Sequence, residues 1–190
     1  MLFGIAGPTA SGKTTVTDVL TGEYGAAYMR YSLILSDIAT ERGLDPTDKA
    51  TLQDLYVTLR ETRGEDWLAK EVLQRARNID SQNIVIEGNR RKVDLETLKA
   101  VASTRGEQLL LIFIDASPET RFVRYNSRLL KQGKPRIDWE AFLKLEQNPA
   151  EDEVPFLRDF AKQHGVYIDT DEYGIEEVQN LLRQKVEKIC

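Results

Sequence analysis

Apolar residues along this chain fall into two kinds of run. LFGIA at 2–6, NIVIEG at 83–88 and LLLIFID at 109–115 are short and nearly unbroken, the pattern of strands covered on both faces, and AAYMRY at 26–31 and VYID at 166–169 add two shorter ones. Between them apolar positions recur at helical spacing. Val16, Val19 and Leu20 follow a glycine loop, and Leu33 to Arg42 reads as a short helix stopped by Gly43. Asp45 before Pro46 predicts a capped helix carrying Leu52, Leu55, Tyr56 and Leu59, and a further helix starts near Asp66 with Leu68, Val72, Leu73 and Ala76. SPET at 117–120 opens a helix running to about Leu130, Asp138 caps a short one, and Pro155 to Gln163 and residues 175–189 supply the last two. No element is assigned between residues 89 and 108. Strands alternating with helices predict an α/β fold with a mostly parallel sheet, which binds ligands at the carboxyl ends of its strands.

At 190 residues, the chain is expected to form one domain, 1–190, around a single core. With 41% hydrophobic and 30% charged residues the composition is that of a soluble globular protein, and no apolar run or leader pattern suggests a membrane or secretion, so a cytoplasmic location is expected. Cys190 and His164 are each the sole residue of their type, which leaves no cysteine cluster or disulfide and turns any metal site toward carboxylates, hydroxyls and phosphates. That donor set favours magnesium. A net charge of −5 gives no general attraction for nucleic acid.

The chemistry begins at GPTASGKT, residues 7–14, which fits G-x-x-x-x-G-K-[ST] between a strand and a helix. Glycines let successive N–H groups turn inward while the following helix adds its positive end, making an anion cradle. Gly7, Ala10, Ser11, Gly12, Lys13, Thr14 and Thr15 are the expected cofactor-binding residues for ATP. Lys13 would reach the β- and γ-phosphates and the Thr14 hydroxyl would coordinate Mg2+. Because hydrolysing, switching and transferring proteins share this loop, it leaves the reaction open.

Further along, VIEGNRRK places Glu87 just past a buried strand, where it could hold the metal shell or orient an acceptor, and Arg90 where it could grip an acceptor phosphate. RFVRYNSRLLKQGKPR sets Arg121, Arg124 and Arg128 on one helical face near Gly133, and Arg124 and Arg128 are the candidates for neutralising charge during transfer. Asp37, Asp45 and Asp48 are acids available to the acceptor side, with capping the simpler account of Asp45. Asp115 is expected to be structural, His164 a surface residue, and Trp67 and Trp139 packing anchors.

Taken together, GPTASGKT, ERGLDPTDKATLQDLYVTLRE, VIEGNRR and DASPETRFVRYNSR resemble the P-loop nucleotide kinases related to dephospho-CoA kinase and deoxynucleoside monophosphate kinases, including a branch of AAA-type ATPases and nucleotide kinases. The resemblance spans nearly the whole chain. It implies a five-stranded parallel sheet, an acceptor-binding helical region over 32–80, a lid over 124–137, and Mg-dependent transfer from ATP to a small nucleotide acceptor; charge and composition, separately, make neither nucleic acid nor membrane an expected partner. Lys13, Thr14, Arg90, Arg124 and Arg128 match that pattern, and Glu87 stands where relatives often carry aspartate. Relatives also show S-D-x-L-R after the second strand. One alignment puts Leu33 at the acid and Ser36 at the arginine; the other makes Ser36-Asp37-Ile38 the equivalent and keeps Asp37 as a candidate base. Three functions follow: a nucleoside monophosphate kinase, a nucleotide-binding sensor that has lost transfer, and dephospho-CoA kinase. The loop also resembles that of tRNA dimethylallyltransferases, whose downstream acceptor motifs the chain lacks.

Overall fold

A computed structural model describes residues 1–147 and 152–188. Cys190 and the last predicted helical position lie outside them. Five strands, β1 (Leu2–Ala6), β2 (Ala27–Arg30), β3 (Ile84–Asn89), β4 (Leu109–Asp115) and β5 (Val166–Asp169), form one sheet in the order β2-β3-β1-β4-β5. Every neighbouring pair is parallel. This is the P-loop NTPase fold, with β1 in the middle and its end feeding the glycine loop.

The unbroken apolar runs are explained by what covers the two faces. On one side Phe3, Ile5, Val85, Ile112 and Ile114 pack under helix α1 (Lys13–Gly22) and helix α9 (Ile175–Glu187) through Val16, Leu20, Val178 and Leu182. The other side lies under α2 (Tyr31–Glu41), α3 (Lys49–Arg63), α4 (Trp67–Arg77), α5 (Lys92–Arg105) and α8 (Val154–His164). Each fully buried large side chain there contributes about 2 kcal/mol. Among the described residues, no helix is long and apolar enough to cross a membrane.

Two expectations are corrected. Helix α5 fills the stretch to which no element was assigned; its Leu95, Leu98 and Val101 are buried, and Asp94, in its first turn, accepts from the N–H groups of Arg90 and Arg91. Helix α3 begins at Lys49, not after Asp45: the Asp48 carboxylate accepts from Ala50 N and Thr51 N, whereas Asp45 closes the preceding turn onto Thr47. Both aspartates are thereby structural. Elsewhere the boundaries move by one or two residues.

Helices α6 (Pro118–Lys131) and α7 (Trp139–Glu146) form a hairpin with its own small core, where the fully buried Phe142 meets the rings of Phe122, Tyr125 and Trp139. Asn126 clips the returning chain by exchanging both amide hydrogen bonds with the Ile137 backbone, at 3.1 and 2.9 Å. The segment 124–137, read as a lid, thus comprises most of α6 and the turn that Asn126 clips at its base.

One side chain ties the far ends of three elements together. Arg105, at the last turn of α5, donates to the carbonyls of Ala76, Ile79 and Ser81 at 2.9, 2.9 and 2.6 Å. It also pairs with Glu107, and only 13% of its side chain is exposed. Removing it leaves three largely buried carbonyls without their charged donor, so Arg105→Ala should cost about 2–3 kcal/mol, read as a lowered urea midpoint with an unchanged slope.

Candidate functional site

The loop leaves β1 through Gly7 and closes onto α1 at Lys13. Gly7 and Gly12 have φ of 138° and 105°, and Ala10, at 63°, is the sole non-glycine residue with positive φ among the described residues. At Gly7 the requirement is absolute space as well as conformation, because an added Cβ would stand 2.1 Å from the Ile114 carbonyl oxygen of β4. The loop's backbone is thus pressed against the neighbouring strand. Lys13 Nζ donates to the carbonyls of Gly7 and Pro8 at 2.9 and 2.7 Å, arching back over the loop. Ser11 is fully buried and its Oγ has no hydrogen-bond partner among the described residues. Thr15 N bonds to Gly12 O as the helix starts, and Thr14 is exposed at its first turn. A helix N-terminus, an orphaned buried hydroxyl and a lysine make a donor set suited to phosphate oxygens.

From the other side Arg124 of α6 grips the loop. Its Nη1 donates to Ser11 O at 3.3 Å and to Thr170 Oγ1 at 2.7 Å, and its Nη2 to Thr170 O at 3.0 Å. Thr170 Oγ1 in turn lies 2.9 Å from Ser11 O and 3.0 Å from Asp115 O and can donate to either. Sequence reading missed Thr170 as a brace of the loop, since a threonine after a short strand carries no signal until β5 is laid beside β4. Of the other arginines on this face, Arg121 is buried, donating to Ala116 O and paired with Glu146, and so is structural. Arg128 is exposed, its guanidinium 5.1 Å from the Tyr125 ring centre.

Strand order brings Glu87 to the same edge. β3 lies between β2 and β1, with Glu87 opposite Ile5 on one side and Arg30 on the other. Glu87 is 6% exposed, and its Oε2 accepts from the Tyr28 hydroxyl at 2.8 Å. Burial, then that hydrogen bond and the nearby carboxylate charge, push the Tyr28 phenol up to about 12. A phenol raised above its ordinary value of 10.0 contributes stability that is complete below pH 10 and fades as pH rises through about 12. The stability gap between the protein and its Tyr28→Phe variant should accordingly stay level up to pH 10 and then narrow, as followed by denaturant titration at stepped pH.

Beyond Glu87, Asn89 is buried and donates to Ile5 O and Ile86 O, fixing the chain where the β1–β3 register shifts. Half-buried Arg90 follows, its N–H held by Asp94. Asp37 is not brought to this edge by its contacts: it pairs with Arg75 of α4 at 2.6 Å and lies about 9 Å along α2 from the end of β2. Leu33, by contrast, is exposed in the first turn of α2, and Ser36 Oγ lies within hydrogen-bond reach of the carbonyls of Ser32 and Pro46. Asp115 accepts from Tyr167 and from its neighbour's N–H, as a structural strand end would. Trp67 is buried against Tyr56 and Trp139 packs on Phe122, while His164 is exposed beside Phe160.

Comparison with solved structures gives a Chloroflexus aurantiacus protein described as a candidate kinase, 15% identical over 97% of each chain with a TM-score of 0.55. An uncharacterised protein of Eubacterium ventriosum is 12% identical over 98% of each chain, with a TM-score of 0.57. At these identities the likeness is one of fold. No curated protein matches the sequence. The model of a protein family described as AAA domain matches residues 4–152, from β1 through the loop, Glu87 and the α6–α7 hairpin, and the chain belongs to that family of P-loop domains.

Proposed function

We propose that this protein transfers the γ-phosphoryl group of ATP, with Mg2+, to a nucleoside monophosphate, deoxynucleotides included among the acceptors. The observation that carries this reading is the joining of Arg124 to the phosphate loop while Glu87 stands on the adjacent strand of the same edge. That arrangement supports a role in which the cation would meet the transferring group and the carboxylate the metal or acceptor. Phosphoryl transfer asks mainly for positioning and charge neutralisation, which these groups supply without a strong base. Lys13 and the loop N–H groups would hold the triphosphate. Mg2+ would take Thr14 Oγ1, at the first turn of α1, Glu87 and phosphate oxygens. Bound there, it would neutralise charge developing between the β- and γ-phosphates. Arg90 would meet the acceptor phosphate and Arg128, on the exposed side of α6, the departing charge. The kinase description of the Chloroflexus protein agrees with this reading.

ADP release from Mg-ATP, measured against a panel of ribo- and deoxynucleoside monophosphates plus dephospho-CoA, tests it. Stimulation by a monophosphate supports the proposal, and stimulation by dephospho-CoA alone replaces the acceptor with a hydroxyl. A second reading rests on α2: Leu33 occupies the first turn beyond β2 while Asp37 is engaged with Arg75. If ATP binds and no acceptor stimulates turnover, the protein is a nucleotide-binding sensor.

A further inference from the structure

Glu87 is a carboxylate buried at the ligand edge of a parallel sheet, and such a group needs a fixed partner. The hydrogen bond that the structure gives it comes from a residue on another strand, Tyr28 of β2. Placement of the pair follows from register. Ile5 packs on the α1 side of the sheet, Glu87 is its register partner, and Val85, two residues earlier on β3, packs on that same side. Tyr28 is the register partner of Val85, so its side chain starts one step below Glu87 and reaches up along the edge strand to cap Oε2. The first turn of α1, with Thr14, stands over this same face. Tyr28 is 40% exposed, yet its hydroxyl is donated to the buried carboxylate.

We infer that Tyr28 is a positioning residue for Glu87, locking one carboxylate oxygen so that the other is presented to the divalent cation of a bound nucleoside triphosphate. This rests on the metal role proposed for Glu87. The physical reason is rotameric. A glutamate at a strand end has three rotatable bonds, and a single tether at Oε2 removes most of that freedom before the cation arrives, lowering the ordering cost of binding. Partners that orient metal-binding carboxylates typically alter affinity by 10–100-fold when lost. In this arrangement Tyr28 would act through Glu87, the carboxylate it holds.

The test measures Mn2+ binding to the protein–ATP complex by the electron paramagnetic resonance of free Mn2+, with metal-free ATP affinity measured in parallel, for the protein, Tyr28→Phe and Glu87→Gln. Phenylalanine keeps the ring and removes only the hydroxyl. Tyr28→Phe is expected to weaken Mn2+ roughly tenfold while metal-free ATP affinity stays within twofold, with Glu87→Gln weakening Mn2+ at least as much. A merely structural tyrosine would shift both affinities together or neither. If Glu87→Gln loses Mn2+ and Tyr28→Phe does not, the positioning role is overturned while the metal role stands. If neither variant changes Mn2+ affinity, Glu87 is not a metal ligand and both fall. Acceptor-stimulated turnover is not needed for any of these outcomes, so the result stays separate from the success of the kinase assignment.

Discussion

Lys13→Ala should lower acceptor-stimulated ADP release by about a thousandfold while leaving the fold intact. The side chain lies over the loop, with Nζ on the carbonyls of Gly7 and Pro8, and is attached to the first residue of α1. It is the one lysine of the loop, and in the proposed transfer its positive charge would act where charge accumulates as the γ-phosphoryl group leaves. Folding depends on it little: half-buried, it donates to two carbonyls of the loop, and loss of those hydrogen bonds should cost about 1 kcal/mol. Turnover in the variant within tenfold of the parent, with an unchanged circular dichroism spectrum, would remove Lys13 from the transfer step. Arg124→Ala is a poor substitute for this experiment, because Arg124 also braces Ser11 and Thr170, and its loss confounds chemistry with loop geometry.

The second large effect is on stability. Gly7→Ala is expected to cost about 3 kcal/mol or more, a fall in Tm of about 10 °C for a chain of this size. Two causes add. A Cβ would stand 2.1 Å from Ile114 O and 3.1 Å from Ser11 Oγ, and φ at this position is 138°. The first obstacle is backbone in a central strand pair, which can yield only if β1 and β4 separate where the loop begins. Gly12→Ala is the matched control: φ is 105°, but the nearest atom to its Cβ would be 3.7 Å away. It should therefore lose only the conformational part, about 2 kcal/mol. Equal costs at the two positions, measured by thermal unfolding, would mean that the approach to Ile114 is not what Gly7 serves.

How far the sequence revealed these features depended on whether the signal was local. The loop was legible because its chemistry is contiguous, and the strands because coverage on both faces leaves an unbroken apolar run. Helix α5 escaped notice because it is packed by β1, β3, β4, α4 and α8 together and buries Asp94 and Thr97 along with its leucines, so no clean polar face marks its period. In DPTD the two aspartates compete for one cap, and local pattern could not say that Asp48 wins while Asp45 turns back onto Thr47. At the ligand edge, Glu87 was singled out because it follows the apolar run IVI, and it lies within β3. Its partner Tyr28 and the brace from Thr170 were not, because each meets its target only through strand order, across 59 and 159 residues respectively.

That strand order also sets a timetable for synthesis. β1 is made first but has no partner until β3 and β4 follow, its registers joining Leu2 to Ile84 and to Leu109. At the pace of a ribosome, the N-terminal strand and its glycine loop wait roughly 5–20 s before either flank can be closed. The phosphate cradle, though it precedes β2 to β5 along the chain, is among the later parts to acquire its shape. Nucleotide can assist only near the end of that process, as a ligand selecting the finished sheet and not as a template for its first residues.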